Sequence, residues 1–257
     1  MTRASPTYGR RGQQDEGNNG VRVVSSTFGT AKRGTYSEKA GGDIDVESGP
    51  ERFAAHLLSV DPRVSSFQPQ PFSVDLLDQR LLLTREEKRE ASLRHKGVPG
   101  AKIYTTDFSV MCVDGMRYAI EVKSEGHEGD DIYWEKIERA RLVLSANGYP
   151  LKTLLFPADT THPIRTNARL LKQALHQIDT YFDRLSVDRI VSRCERGGLT
   201  VGELCRDFEL SPGFVPLLLV KGVLSANVAY RPINSSLELS PAYGDLSHLF
   251  LLEEVEL

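Results

Sequence analysis

The stretch IYTTDFSVMCVDGMRYAIEVK, residues 103–123, decides the fold class of this chain. Its two halves, 103–113 and 116–123, are rich in β-branched and aromatic residues and predict two strands, and Asp114-Gly115 between them is a strong hairpin signal. Outward from this hairpin, we predict a helix over 48–60, extended chain over 64–77, a helix over 133–147 and a buried strand over 151–156. This order of elements predicts an α/β fold with a mixed sheet at its core.

Four polar residues of this region form a candidate catalytic set. Asp107 lies in the first predicted strand, Glu121 and Lys123 close the second, and Glu51 lies on the preceding helix. Phosphodiester hydrolysis needs a divalent cation, and Mg²⁺ prefers carboxylate oxygens, which Asp107 and Glu121 supply. The carbonyl group of Val122 would be a neutral ligand beside Glu121. Lys123 shares a strand face with Glu121 and could orient the attacking water and stabilise the developing phosphorane charge. This order of residues resembles the core of the PD-(D/E)xK nucleases.

The hairpin loop gives this prediction a geometric test. A two-residue turn at Asp114-Gly115 would set Asp107 opposite Val122, away from the side chain of Glu121. A three-residue loop, or one bulge, shifts the register by one residue and sets Asp107 opposite Glu121. We therefore predict an odd-numbered loop or a bulge between the two strands.

Each candidate also has a purely structural explanation. The Ser48-x-x-Glu51 spacing fits a capping box, in which the acid serves only the helix start, and Glu47 is a competing catalytic acid. Glu121 and Lys123 could be the exposed polar face of an edge strand, whereas Asp107 is harder to explain because Asp is depleted in strands. The sequence has no GxSxG, P-loop, GxGxxG or HExxH motif that would indicate other chemistry.

Composition and charge exclude several classes of protein. The chain has 257 residues, 40% hydrophobic and 26% charged, which is typical of a folded protein. Its apolar stretches are shorter than the roughly 18 residues of a membrane span, no signal-peptide pattern is present, and three cysteines without a CxxC pair favour a reducing compartment. The net charge is −3, but residues 1–40 hold seven basic residues against three acidic ones. We predict that residues 1–45 form a flexible basic arm, which could lie along a phosphate backbone.

The C-terminal region predicts a second unit. Residues 186–240 show helix, Gly-Gly, helix, turn and helix, then two short strands, which is the pattern of a winged helix-turn-helix. The candidate recognition helix, 212–222, carries only Lys221 as a cation, whereas base readout needs Arg, Lys, Asn or Gln. We expect this unit to bind protein, and the acidic end around Glu253 and Glu256 to suit a partner peptide. The predicted domains are the arm 1–45, a nuclease domain 46–165 and a winged-helix-like domain with an acidic tail, 166–257.

In four blocks the sequence resembles the TnsA-type transposon endonucleases of the PD-(D/E)xK superfamily. The blocks are ESGPERF at 47–53, DPRV at 61–64 leading to QPQP at 68–71, TDFSV at 106–110 and IEVK at 120–123. The resemblance covers roughly residues 46–156. It implies a restriction-endonuclease-like mixed-sheet core with a C-terminal winged-helix-like α-rich domain. It also implies that the catalytic positions are Glu51, Asp107, Glu121 and Lys123. Mg²⁺, or Mn²⁺ in its place, would be held by Glu51, Asp107, Glu121 and Val122.

The resemblance also implies a biological role. A TnsA-type enzyme cuts the 5′ ends of a transposon, a TnsB-like DDE transposase cuts the 3′ ends, and a TnsC-like AAA+ ATPase couples both to target choice. The expected partners are therefore transposon-end DNA and these two proteins, without a membrane, in the cytoplasm of a bacterium near the nucleoid. Two alternatives stay open: a stand-alone restriction or repair nuclease with the same core, and a non-catalytic winged-helix DNA-binding adaptor with an inactive nuclease fold.

Overall fold

The computed structural model describes residues 20–21, 33–178, 182 and 186–257 of the chain. The N-terminal strands are β1 (Arg33–Ser37), β2 (Gly42–Val46), β3 (Val64–Pro69), β4 (Ser73–Asp75), β5 (Arg80–Leu82), β6 (Ile103–Thr105), β7 (Phe108–Cys112), β8 (Arg117–Ser124) and β9 (Leu151–Phe156). The helices among and after them are α1 (Gly49–Val60), α2 (Arg85–Arg94), α3 (Asp131–Ala146) and α4 (Pro163–Leu175). The C-terminal elements are α5 (Val187–Glu195), β10 (Leu199–Thr200), α6 (Val201–Asp207), α7 (Val215–Val220), β11 (Leu224–Ser225) and β12 (Glu238–Pro241).

The central sheet has four strands in the order β3-β7-β8-β9. The first three strands pair antiparallel and β8 pairs parallel with β9, so the predicted α/β class with a mixed sheet is confirmed. Phe108 and Ile120 point from one face into a core shared with α1, and Ala119 packs from the other face against α3. Helices on both faces exclude water from the middle of the sheet.

The hairpin between β7 and β8 has the predicted odd-numbered loop. The N–H of Cys112 donates to the carbonyl of Met116 at 2.8 Å, which leaves a three-residue loop, 113–115, between them. Gly115 closes the loop at φ +87°, a conformation that glycine adopts without steric cost. Phe108 pairs with Ile120, so the preceding and following residues, Asp107 and Glu121, fall opposite each other.

Asp107 itself does not lie in a strand, which corrects the sequence prediction. The strand predicted over 103–113 is broken at Thr106-Asp107, because β6 belongs to a second, antiparallel sheet of order β5-β4-β6 and β7 belongs to the central sheet. The backbone at Asp107 is still fully used, since its N–H donates to Ile120 and its carbonyl accepts from Gln70. The scarcity of Asp in strands therefore gives no argument about this residue.

Residues 33–46 are not a flexible arm. They form the antiparallel hairpin of β1 and β2, with Ile44 and Val46 buried in the core that contains α1. The alternating polar residues of this segment hide its strand character, and only two of its side chains supply the apolar face. The rest of the predicted basic arm, 1–19 and 22–32, lies outside the described residues.

Helix α4 joins the two predicted domains. It packs against α1 of the N-terminal unit and α7 of the C-terminal unit, and the hydrophobic core is continuous across the predicted boundary at 165/166. In the C-terminal unit, α5, α6 and α7 accompany a small antiparallel sheet of order β10-β12-β11. All six residues of α7 are buried, so the apolar candidate recognition helix forms core and offers no surface for bases.

The acidic C-terminal segment packs against the central sheet of the same chain. Glu253 forms an ion pair with Arg63, Glu256 pairs with Lys152 at 2.7 Å, and the backbone of Glu256 bridges to Leu154 at the edge of the central sheet. This contact covers part of the edge strand β9. The expectation that the acidic end suits a partner peptide stays a prediction. Within the described residues, no helix is both long and apolar enough to cross a membrane.

Candidate active site

Three of the four predicted catalytic residues meet on the α3 side of the central sheet. Because Asp107 falls opposite Glu121 and Lys123 follows two residues later, all three side chains share one face. The Nζ atom of Lys123 lies 3.1 Å from Oε1 of Glu121. The N–H of Val122 donates to Oδ2 of Asp107 at 2.7 Å, and this hydrogen bond holds the Asp107 carboxylate against β8.

Two tyrosines hold the carboxylate of Glu121. Glu121 is 4% exposed, and its Oε2 accepts from the hydroxyl of Tyr104 at 2.5 Å while its Oε1 accepts from the hydroxyl of Tyr133. Burial, with the charge of Glu121 nearby, raises the pKa of both tyrosines above the ordinary value, so they stay protonated donors. Their place in the site cannot be recognised from the strand pattern, because Tyr104 comes from β6 and Tyr133 from the first turn of α3.

Asp107 stands in a cluster of acids. Burial is the main cause that raises the pKa of its carboxyl well above the ordinary value, and the charges of Glu121 and Glu51 add to it. The charges of Glu121 and Glu51 therefore disfavour an ionised Asp107, and a divalent cation at this place would relieve that repulsion.

Glu51 caps the start of α1 and also carries a charge that acts on Asp107. Its N–H donates to Oγ of the cap residue Ser48 at 3.1 Å, and its Oε2 accepts from the N–H of Glu47 at 3.0 Å, so it stabilises the start of α1. It is also buried, and its charge acts on Asp107. Glu47 is only half-buried. The assignment of Glu51 rather than Glu47 as the helix-borne acid stays a prediction.

Two ammonium groups complete the site. Nζ of Lys123 lies 3.6 Å from the ring centroid of Tyr133, and Nζ of Lys136, one turn along α3, lies 4.1 Å from the same centroid. Burial lowers the pKa of Lys136, and the charge of Glu121 opposes that shift. Lys136 is absent from the predicted set, because a lysine on an amphipathic helix gives no signal of its own.

The carboxyl groups of the site are of the ligand type that suits the cation implied by the sequence. Asp107, Glu121 and Glu51 offer hard carboxylate oxygens, the ligand type that Mg²⁺ and Mn²⁺ prefer. The side chain of Val122 is buried on the opposite face of β8. The carbonyl ligand assigned to Val122 remains a prediction.

Among the described residues, Asp75, Asp78 and His95 form the one group whose potential metal-ligand atoms all lie within 4.8 Å of one another, and the carboxylates of Asp107, Glu121 and Glu51 do not converge so closely. Both acids of this group already form ion pairs with one guanidinium group, since Arg94 lies 3.2 Å from Asp75 and 2.6 Å from Asp78. His95 lies 3.0 Å from Asp75, whose other oxygen accepts the N–H groups of the following turn. These contacts explain the cluster as a structural hub that ties α2 to β4.

Comparison with protein-family models gives no match to this chain, and a search of curated proteins gives no significant relative.

Proposed function

We propose that the protein is a Mg²⁺-dependent DNA endonuclease with a restriction-endonuclease-like core, which cuts the 5′ ends of a transposon in a cut-and-paste transposition system. The observation that carries this proposal is the register of the hairpin, which sets Asp107 opposite Glu121-x-Lys123 on one sheet face. The charge of Glu51 on the adjoining helix end completes the acidic set. Mn²⁺ is the natural substitute for Mg²⁺ at such a site.

Each side chain then has a defined task. Mg²⁺ would be held by Asp107, Glu121 and Glu51, with the carbonyl of Val122, and supplies an activated water and charge stabilisation when bound. Lys123, 3.1 Å from Glu121, is placed to orient that water and to stabilise negative charge on the phosphorus centre. Tyr104 and Tyr133 fix the orientation of Glu121 through its two oxygens.

The role in transposition rests on the four sequence blocks that resemble TnsA-type endonucleases. The expected partners are therefore transposon-end DNA, a TnsB-like DDE transposase and a TnsC-like AAA+ ATPase. The C-terminal unit supports this assignment, since three helices with a small antiparallel sheet match the order of a winged-helix domain. Because α7 is buried, we assign that domain to protein contacts.

The test is cleavage of supercoiled DNA that carries the transposon ends, with the neighbouring transposase and Mg²⁺. We expect Asp107→Asn to abolish the 5′-strand cuts and retain the 3′-strand cuts. The matched control, Asp188→Asn, changes an exposed acid on α5 and should cut both strands. Equal 5′ cutting by wild type and Asp107→Asn would refute the nuclease assignment. Efficient cutting without the transposase would instead support a stand-alone restriction or repair nuclease.

A further inference from the structure

Helices α1 and α4 together present a strongly cationic surface. Arg165, Arg169 and Lys172 recur at the spacing of one helical face along α4, and Arg52 lies on α1, which packs against α4. Lys172 reaches the hairpin of β1 and β2, where its Nζ donates to Oγ1 of Thr35 at 2.7 Å. We call Arg52, Arg165, Arg169 and Lys172 the α1–α4 cationic face.

These cations lie close enough to act on one another. Burial is the first cause that lowers the pKa of His56 to about 4, and Lys172, Arg52 and Arg169 are the charges that lower it further. Burial and the charge of Arg52 likewise lower the pKa of Lys172. Arg165 packs against α1, with its guanidinium carbon 5.9 Å from the ring centroid of Phe53. Its buried Nε has no hydrogen-bond partner among the described residues.

No carboxylate compensates this charge among the described residues. None of the four cations forms an ion pair there, and α4 contains no acid. The only acid of α1 is Glu51, which is buried and accepts from the N–H of Glu47. Other exposed helices differ: on α2, Arg89 stands between Glu86 and Glu90. A concentration of like charge without counter-charge costs folding stability, and a polyanionic partner would offset that cost.

We propose that the α1–α4 cationic face binds the phosphate backbone of duplex DNA. Charge complementarity supports this occupant, since the backbone of duplex DNA carries a regular row of negative charges and these four side chains carry only positive ones. Regularly spaced cations along a helix suit a regular row of phosphates, and such contacts hold DNA independently of its sequence. The inference deepens the proposed nuclease function and rests on it for the choice of DNA, but binding can be measured without cleavage.

The experiment measures binding of the full chain to a labelled duplex of about 30 base pairs of arbitrary sequence, in EDTA, over a range of salt concentrations. The variant is Arg52→Gln with Arg169→Gln, two exposed side chains. Each phosphate contact adds about 0.9 to the salt slope of log K, so losing two should lower that slope by about 1.8 and the affinity at about 0.1 M salt by roughly 60-fold. The matched control, Arg89→Gln with Lys96→Gln, removes two exposed cations from another surface and should bind like wild type.

Equal binding by the variant and wild type, with equal salt slopes, would overturn the proposal. So would an equal loss in the control, or binding to anionic phospholipid vesicles in place of DNA. Asp107→Asn should bind DNA fully in this assay. If that variant and wild type bind DNA alike but neither cuts it in Mg²⁺, DNA binding by the α1–α4 cationic face is supported and the nuclease assignment is refuted.

Discussion

Replacement of Tyr104 by phenylalanine removes one hydroxyl from the most buried hydrogen bond of the site. The Tyr104 ring is 3% exposed, and its hydroxyl donates to Oε2 of Glu121 at 2.5 Å, a carboxylate that is itself 4% exposed. Hydrogen bonds to buried charged groups contribute about 1.5–3 kcal/mol. We therefore expect Tyr104→Phe to lower the free energy of unfolding by about 2 kcal/mol, and the melting temperature by roughly 4–8 °C.

Urea denaturation in EDTA measures this loss, and a double-mutant cycle identifies its origin. In a Glu121→Gln background the bond to Tyr104 becomes neutral, so the same substitution should cost only about 0.5–1.5 kcal/mol. The matched control is Tyr149→Phe, whose ring packs on Phe72 and whose hydroxyl makes no hydrogen bond within the described residues. An equal loss for Tyr104→Phe in both backgrounds would refute the reasoning, because the cost would then come from packing.

Three further predictions concern other parts of the chain. Burial and neighbouring acids raise the pKa of Asp107, so its contribution to the free energy of unfolding is present at low pH and is lost as pH rises from about 4 through the raised pKa. In EDTA, Asp107→Asn should therefore become more stable relative to wild type as pH rises. Urea titrations in which the two proteins show parallel pH profiles would contradict this. Gly115→Ala should cost about 1–2 kcal/mol in urea denaturation, because φ is +87° and a Cβ there meets no other atom, so only backbone strain acts; no loss would mean that the loop adopts another turn. Asp75→Ala should cost about 3–5 kcal/mol with or without EDTA, because it leaves His95 and Arg94 without their buried acid; a loss that appears only without EDTA would indicate a metal there instead.

The hairpin at the centre of the sheet was predictable because it depends on a local signal. Asp114-Gly115 marks the hairpin, and the requirement that Asp107 face Glu121 decides between two loop lengths, of which the structure has the three-residue form. Likewise, Ser48 and Pro50 mark the start of α1 at the position where it occurs. Such signals lie within a few residues of the element that they define.

Features that depend on distant contacts were not predictable. Tyr104 and Tyr133 reach Glu121 from β6 and α3, Lys136 contacts the Tyr133 ring, and only the folded sheet brings them together. The break at Asp107 arises because its two flanking strands join different sheets. The docking of Glu253 and Glu256 depends on Arg63 and Lys152, which lie far away in the sequence. Tertiary contacts of this kind override local propensity.

The measurement that tests the central claim most directly is Mn²⁺ binding followed by electron paramagnetic resonance. The account predicts that the wild-type chain binds Mn²⁺, that Asp107→Asn loses this binding, and that Asp75→Asn retains it. The two variants carry the same chemical change, one at the predicted catalytic acid and one in the Asp75, Asp78 and His95 group, so they separate the proposed metal centre from the structural hub. Retained Mn²⁺ binding in Asp107→Asn, with loss in Asp75→Asn, would contradict the account and move the metal centre to that group.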